Sequence, residues 1–121
     1  MKKLTCHCGG VEIQVKLPET GFEKLMRCNC SLCKRRGYIM TPVDPGNFKL
    51  IKGKELLTLY QYHTKVAEHY FCSNCGIYTH HKMRSNPKMY GINVACLEGV
   101  KPFELENVIV NDGENHPMDK K

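Results

Sequence analysis

Seven of the eight cysteines in this chain fall into short-range sets whose spacing suits metal binding. Cys6 and Cys8 are two apart, Cys28 and Cys30 are two apart, and Cys30 and Cys33, like Cys72 and Cys75, are three apart. Residues at i and i+2 of an extended segment share a face, so Cys6/Cys8 and Cys28/Cys30 can each grip one ion from a strand. Cys-x-x-Cys reaches one ion through a tight turn that calls for a left-handed residue behind it, and Gly76 directly follows Cys75 in "CSNCG". Thiolates in these patterns point to zinc.

Counting ligands divides the set. Cys6, Cys8, Cys72 and Cys75 supply four thiolates from two distant segments, enough to close one tetrahedral site that ties the N-terminus to the middle of the chain. Cys28, Cys30 and Cys33 lie together in one short loop and lack a fourth cysteine beside them. Structural zinc sites are closed, whereas catalytic ones keep a position open. The triad admits three readings: an open zinc site, a site closed by Cys96 or a histidine, or a free triad in a one-zinc protein. Cys96 sits in an apolar pattern, "INVACLEG", and reads as a small core residue. His7 lies between two ligands and is expected to point away from that zinc. His80 and His81 are adjacent, so a strand sends them to opposite faces. His63, His69 and His116 read as surface or satisfied side chains.

The elements that must hold these sets are short strands. "VEIQVKL" (11–17) alternates apolar and polar residues strictly, as a half-buried strand does. Segments 38–43, 48–51, 56–62, 65–71, 76–83 and 88–97 read as further strands, with turns at "DPGN", "KGKE" and "RSNP". The C-terminal stretch reads as a short helical turn and a strand before a polar tail at 111–121. The expectation is a mainly β single domain over 1–121, with cysteine knuckles at strand ends.

Composition narrows the classes. The 121 residues are 41% apolar and 25% charged, as in an ordinary globular domain. No apolar run is long enough to span a bilayer, so no membrane association is expected. The first fifteen residues carry a basic pair without an apolar stretch, which leads to a cytoplasmic expectation and, in a reducing compartment, to metal rather than disulfides. The formal charge is +6, but seven thiolates around two zinc ions would lower it by three. The basic residues form no stripe with aromatics, so nucleic-acid binding is not expected.

"CHCGGV", "CNCSLCKRRG" some twenty residues later, and "HYFCSNCGIYTHH" resemble, in this order and spacing, the glutathione-dependent formaldehyde-activating enzyme family, which includes centromere protein V. The resemblance covers about residues 4–100 and continues through "YGINVACLEGV". It implies a β-tent fold of several short coiled antiparallel sheets and two zinc ions. Cys6, Cys8, Cys72 and Cys75 match the structural site, and Cys28, Cys30 and Cys33 the catalytic one. The activity it implies is that of a carbon–sulfur lyase, the condensation of glutathione with formaldehyde to S-(hydroxymethyl)glutathione. Lys34 and Arg35, with Arg36 beside them, would attract the anionic tripeptide. Tyr78 and His80, two apart on a strand, would line the cleft. The alternative expectation is a non-catalytic zinc module that binds a protein or nucleic-acid partner.

Overall fold

The computed structural model describes residues 1–62, 65–83 and 88–112. The "RSNP" turn, His63, His116 and the tail beyond residue 112 lie outside the described residues.

Among the described residues, ten short strands form two sheets. The smaller sheet places β2 (Glu12–Val15) between β1 (Lys2–Thr5) and β5 (Phe48–Lys52), both antiparallel to it. The larger sheet contains β3 (Leu25–Cys28), β4 (Met40–Val43), β6 (Leu57–Tyr60), β7 (Glu68–Cys72), β8 (Tyr78–Lys82), β9 (Tyr90–Asn93) and β10 (Val108–Asn111). Its order is β10-β3-β4-β9-β8-β7-β6. The mainly β, single-domain expectation holds, with one departure: β10 pairs parallel to β3. The chain between them is long enough to permit either orientation, and local pattern cannot choose. The strands β1 and β3 escape sequence reading because "KKLT" and "LMRC" do not alternate apolar and polar residues.

The core joins the sheets. Leu4, Ile13 and Val15 from the smaller sheet meet Leu25, Val43, Cys72 and Ile92 from the larger. A bridge from Leu4 in β1 to Leu97 ties the smaller sheet to the segment after β9. No helix of the described residues is long and apolar enough to cross a membrane.

Two irregularities shape the surroundings of the cysteines. The strands β3 and β4 pair through Met26 and Met40 alone, and the sequence between them folds into α1 (Ser31–Arg36) at the open end of that seam. In β8, Thr79 is an extra residue: His80 pairs with Tyr70 while Tyr78 pairs with the next residue, Phe71. Such a bulge re-aims side chains. It brings the Tyr78 side chain to His81 rather than to His80. The Tyr78 hydroxyl contacts His81 Nδ1, and Thr79 Oγ1 sits 2.8 Å from His80 Nδ1.

Candidate metal centre

The structure brings together the same four and the same three cysteines that spacing groups. In each set the sulfurs lie within 4.8 Å of one another, close enough to share one ion.

In the four-cysteine group, Cys6 follows β1 and Cys72 ends β7, so strand geometry delivers both ends. Cys6 and Cys72 are buried, with Cys72 in the core cluster, while Cys8 is exposed. Backbone N–H groups of Val11 and Gly10 donate to the sulfurs of Cys6 and Cys8 at 3.3 and 3.4 Å. Gly76 adopts φ +77°, and its N–H closes the Cys72–Cys75 turn on the Cys72 carbonyl at 2.7 Å. Donors aimed at sulfur favour the thiolate that a metal requires.

The triad does not sit in a plain loop. Cys28 ends β3, Cys30 caps the N-terminus of α1, and Cys33 lies in its first turn. The Cys30 sulfur accepts from the Cys33 N–H at 3.3 Å, the role that Ser or Asp usually fills. Gly37, left-handed, ends the helix after six residues. Cysteine is not among the usual cap residues, so the helix was hidden in "CNCSLCKRRG". Hydrogen bonds from the Cys28 and Cys33 thiols hold Cys30 far below the ordinary thiol range. The same bonds push Cys28 and Cys33 up. The Cys30 sulfur also accepts from the Tyr62 hydroxyl at 3.4 Å. The Tyr38 hydroxyl lies 3.4 Å from the Cys33 sulfur.

Cys96 does not join the triad. It lies in a 3₁₀ turn at Val94–Cys96, with its sulfur 3.7 Å from the Tyr78 carbonyl. Burial pushes its thiol up to about 12, helped by the neighbouring sulfurs of Cys6 and Cys75. Its electrostatic neighbours therefore belong to the four-cysteine group. No histidine among the described residues joins either sulfur group.

A pocket of about 450 Å³ is lined by Arg36, Tyr38, Phe71, Gly76, Ile77, Tyr78 and Asn93, and so lies beside Tyr38, which contacts Cys33, and beside the Gly76 that follows Cys75. Lys34 and Arg35 are exposed, and Arg35 Nη1 donates to the Ser31 carbonyl at 2.7 Å. The basic residue at the pocket is Arg36, whose guanidinium lies 4.4 Å over the Tyr78 ring. Tyr78 lines the pocket without His80. The Thr79 bulge leaves His80 among Phe48, Tyr70 and Tyr90, at ring distances of 4.9, 4.8 and 5.9 Å.

His69 contradicts the expectation of a surface or satisfied side chain: it is 5% exposed and its Nδ1 has no hydrogen-bond partner among the described residues. It stacks on His81 at 5.5 Å and faces Tyr62 at 6.0 Å. Burial, then the charge of Arg36, lower His69 to about 4. Burial is also the main cause that lowers His81, to about 3. Both imidazoles are therefore neutral near pH 7. The sequence signal for this group was "EHYFC" paired with "YTHHK", where aromatic and histidine residues crowd two adjacent strands.

Residues 1–110 match the family described as glutathione-dependent formaldehyde-activating enzyme. Among solved structures, the crystal structure of a Rhodobacter sphaeroides protein is similar to this chain. It is 52% identical, with a TM-score of 0.85, over 90% of this chain and 99% of the other.

Proposed function

Because this chain belongs to the glutathione-dependent formaldehyde-activating enzyme family, we propose that it condenses a thiol such as glutathione with formaldehyde at the Cys28/Cys30/Cys33 group. One observation carries the reading. Three cysteine sulfurs cluster beside a pocket, while four others form a set of their own.

The donor sets fit zinc, since each consists of thiols within reach of one ion. Cys6, Cys8, Cys72 and Cys75 would hold a structural ion; Cys28, Cys30 and Cys33 would hold the other. Zinc bound by three thiolates is a weak Lewis acid, and what it supplies is a coordination position at which a substrate thiol is kept as thiolate.

The chain's own residues position and tune. Tyr62 and Tyr38 hold the sulfurs of Cys30 and Cys33 by hydrogen bonds. The seam between β3 and β4 and the cap of α1 fix the triad's spacing. Tyr38 and Arg36 connect the triad to the pocket, where the thiol's organic part would rest. The substrate sulfur forms a bond to the formaldehyde carbon, the C=O π electrons move to oxygen, and the proton lost by the thiol ends on that oxygen. Holding thiol and aldehyde together contributes the rate gain through proximity.

Exchange NMR on glutathione and formaldehyde tests the reading. Zinc-loaded protein is expected to accelerate interconversion with the hydroxymethyl adduct beyond the spontaneous rate, and Cys30→Ser to lose that gain. No acceleration by wild type would overturn the reaction assignment.

A further inference from the structure

Two tyrosines, Tyr38 and Tyr78, line the pocket together with Arg36. Their rings lie 4.4 Å apart, and each hydroxyl feels the other. The Tyr38 hydroxyl is held 3.4 Å from the Cys33 sulfur. The Tyr78 hydroxyl contacts His81 Nδ1 instead. A line of polar contacts thus runs from the triad past two pocket-lining hydroxyls to a buried imidazole.

The surroundings of Tyr78 suit an acid that gives up its proton briefly. The Arg36 guanidinium lies 4.4 Å over the ring, and its Nη1 is buried without a hydrogen-bond partner among the described residues. Buried polar groups are nearly always paired. None of the residues lining the pocket is acidic, so none of them compensates the charge. A preorganised cation is most effective toward a negative charge that appears only during reaction. His81, confined by Gly91 and His69, can donate Nδ1–H to the Tyr78 oxygen. At rest, burial pushes the Tyr78 hydroxyl well above its ordinary range; Tyr38 and Arg36 pull it down, and the sulfurs of Cys33 and Cys96 push it up. The resting group is therefore a protonated acid.

We propose that Tyr78 is the catalytic acid that protonates the aldehyde oxygen, with His81 and Arg36 as positioning residues that hold its hydroxyl and stabilise its phenolate. This role rests on the proposed condensation and adds the group that moves the proton. As the carbon–sulfur bond forms, the C=O π pair moves to oxygen, and the Tyr78 O–H bond breaks to protonate that oxygen. The phenolate then takes a proton from water, which has received the one lost by the thiol, so the sum of the reaction is unchanged. The Tyr38 hydroxyl is occupied at the Cys33 sulfur, which leaves Tyr78 to meet the aldehyde oxygen.

Exchange NMR on the zinc-loaded full chain with glutathione and formaldehyde tests it. Tyr78→Phe keeps the ring beneath Arg36 and removes the hydroxyl. It is expected to slow the protein-dependent interconversion about 100-fold, the low end for acid–base catalysis. Glutathione affinity by calorimetry and zinc content should stay near wild type. The wild-type rate is expected to fall in D₂O, and Tyr78→Phe to lose that solvent isotope effect, which a packing role would not alter. His81→Leu removes the donor and is expected to slow interconversion about tenfold, whereas His81→Asn, which keeps an amide N–H near the Nδ1 position, recovers part of the loss. Circular dichroism reports folding; if Tyr78→Phe does not fold, the two His81 variants carry the comparison. A full rate or an undiminished isotope effect in folded Tyr78→Phe overturns the acid role and leaves the condensation intact. So do equal rates in His81→Leu and wild type. No acceleration by wild type overturns both.

Discussion

The Tyr62 hydroxyl lies 3.4 Å from the Cys30 sulfur, tying the segment after β6 to a cysteine 32 positions earlier. A donor on a ligating sulfur orients it and stabilises its charge, and removing such a partner typically costs about 10- to 100-fold in metal affinity. Tyr62→Phe is therefore expected to weaken zinc binding at the proposed Cys28/Cys30/Cys33 site by about tenfold without unfolding the protein. Competition with a chromophoric chelator reads the affinity. An unchanged value would mean that the hydroxyl has no role in holding the triad.

The two cysteine groups should respond differently to loss of a sulfur. Cys72 is fully buried in the core, whereas Cys30 is half-buried at the open end of the β3–β4 seam. Binding free energy at a structural zinc, about 10–16 kcal/mol, is comparable to the whole stability of a domain, about 5–15 kcal/mol. Cys72→Ser is expected to unfold the domain. Cys30→Ser should leave a folded chain whose zinc, by elemental analysis, falls from about two towards one per molecule. Unfolding in both would contradict the division of roles.

Gly91 faces His81 without room for a methyl group. A Cβ there would stand 2.3 Å from His81 Cε1, 2.7 Å from its Nε2 and 2.9 Å from Met40 Cε. The imidazole is confined on other sides by Tyr78 and His69, so it cannot step aside freely. Gly91→Ala is expected to cost about 1–3 kcal/mol by overpacking. Gly46→Ala, with nothing within 4 Å of the new atom, should be nearly neutral. Urea titration of the two variants gives the comparison.

His80 should make stability depend on acid. Burial, then the charge of Lys82, lower its pKa to about 4 in the folded protein, against an ordinary value near 6.5. Between those values the unfolded chain binds a proton that the native one refuses. Stability therefore falls as pH drops from about 6.5 to about 4, with no further loss from this group below that. His80→Phe, placed among Phe48, Tyr70 and Tyr90, removes the proton and keeps an aromatic ring. The slope of unfolding free energy in that window should then shrink by up to about 1.4 kcal/mol per pH unit. Acid release of zinc affects both proteins and drops out of the difference. Equal slopes would show that His80 titrates normally.

Chemistry held in short spacings was legible in the chain alone. Cys-x-Cys, Cys-x-x-Cys and the Gly76 turn are local geometry, so the grouping of four and three sulfurs was readable before any fold. Strands with a clear alternation, such as the one through Ile13 and Val15, were readable for the same reason. The surroundings of the triad came from tertiary structure. Tyr62, His69 and Arg36 come from β6's end, β7 and α1, and no spacing rule links them. One inserted residue, Thr79, replaced His80 by His81 as the partner of Tyr78, because a bulge resets the alternation on which a strand reading depends. A cysteine in a helix cap concealed α1, and with it the turn that carries Arg36 to the pocket while Lys34 and Arg35 remain exposed. Ligand identity is a property of neighbours in sequence; the shell that tunes and selects is a property of neighbours in space.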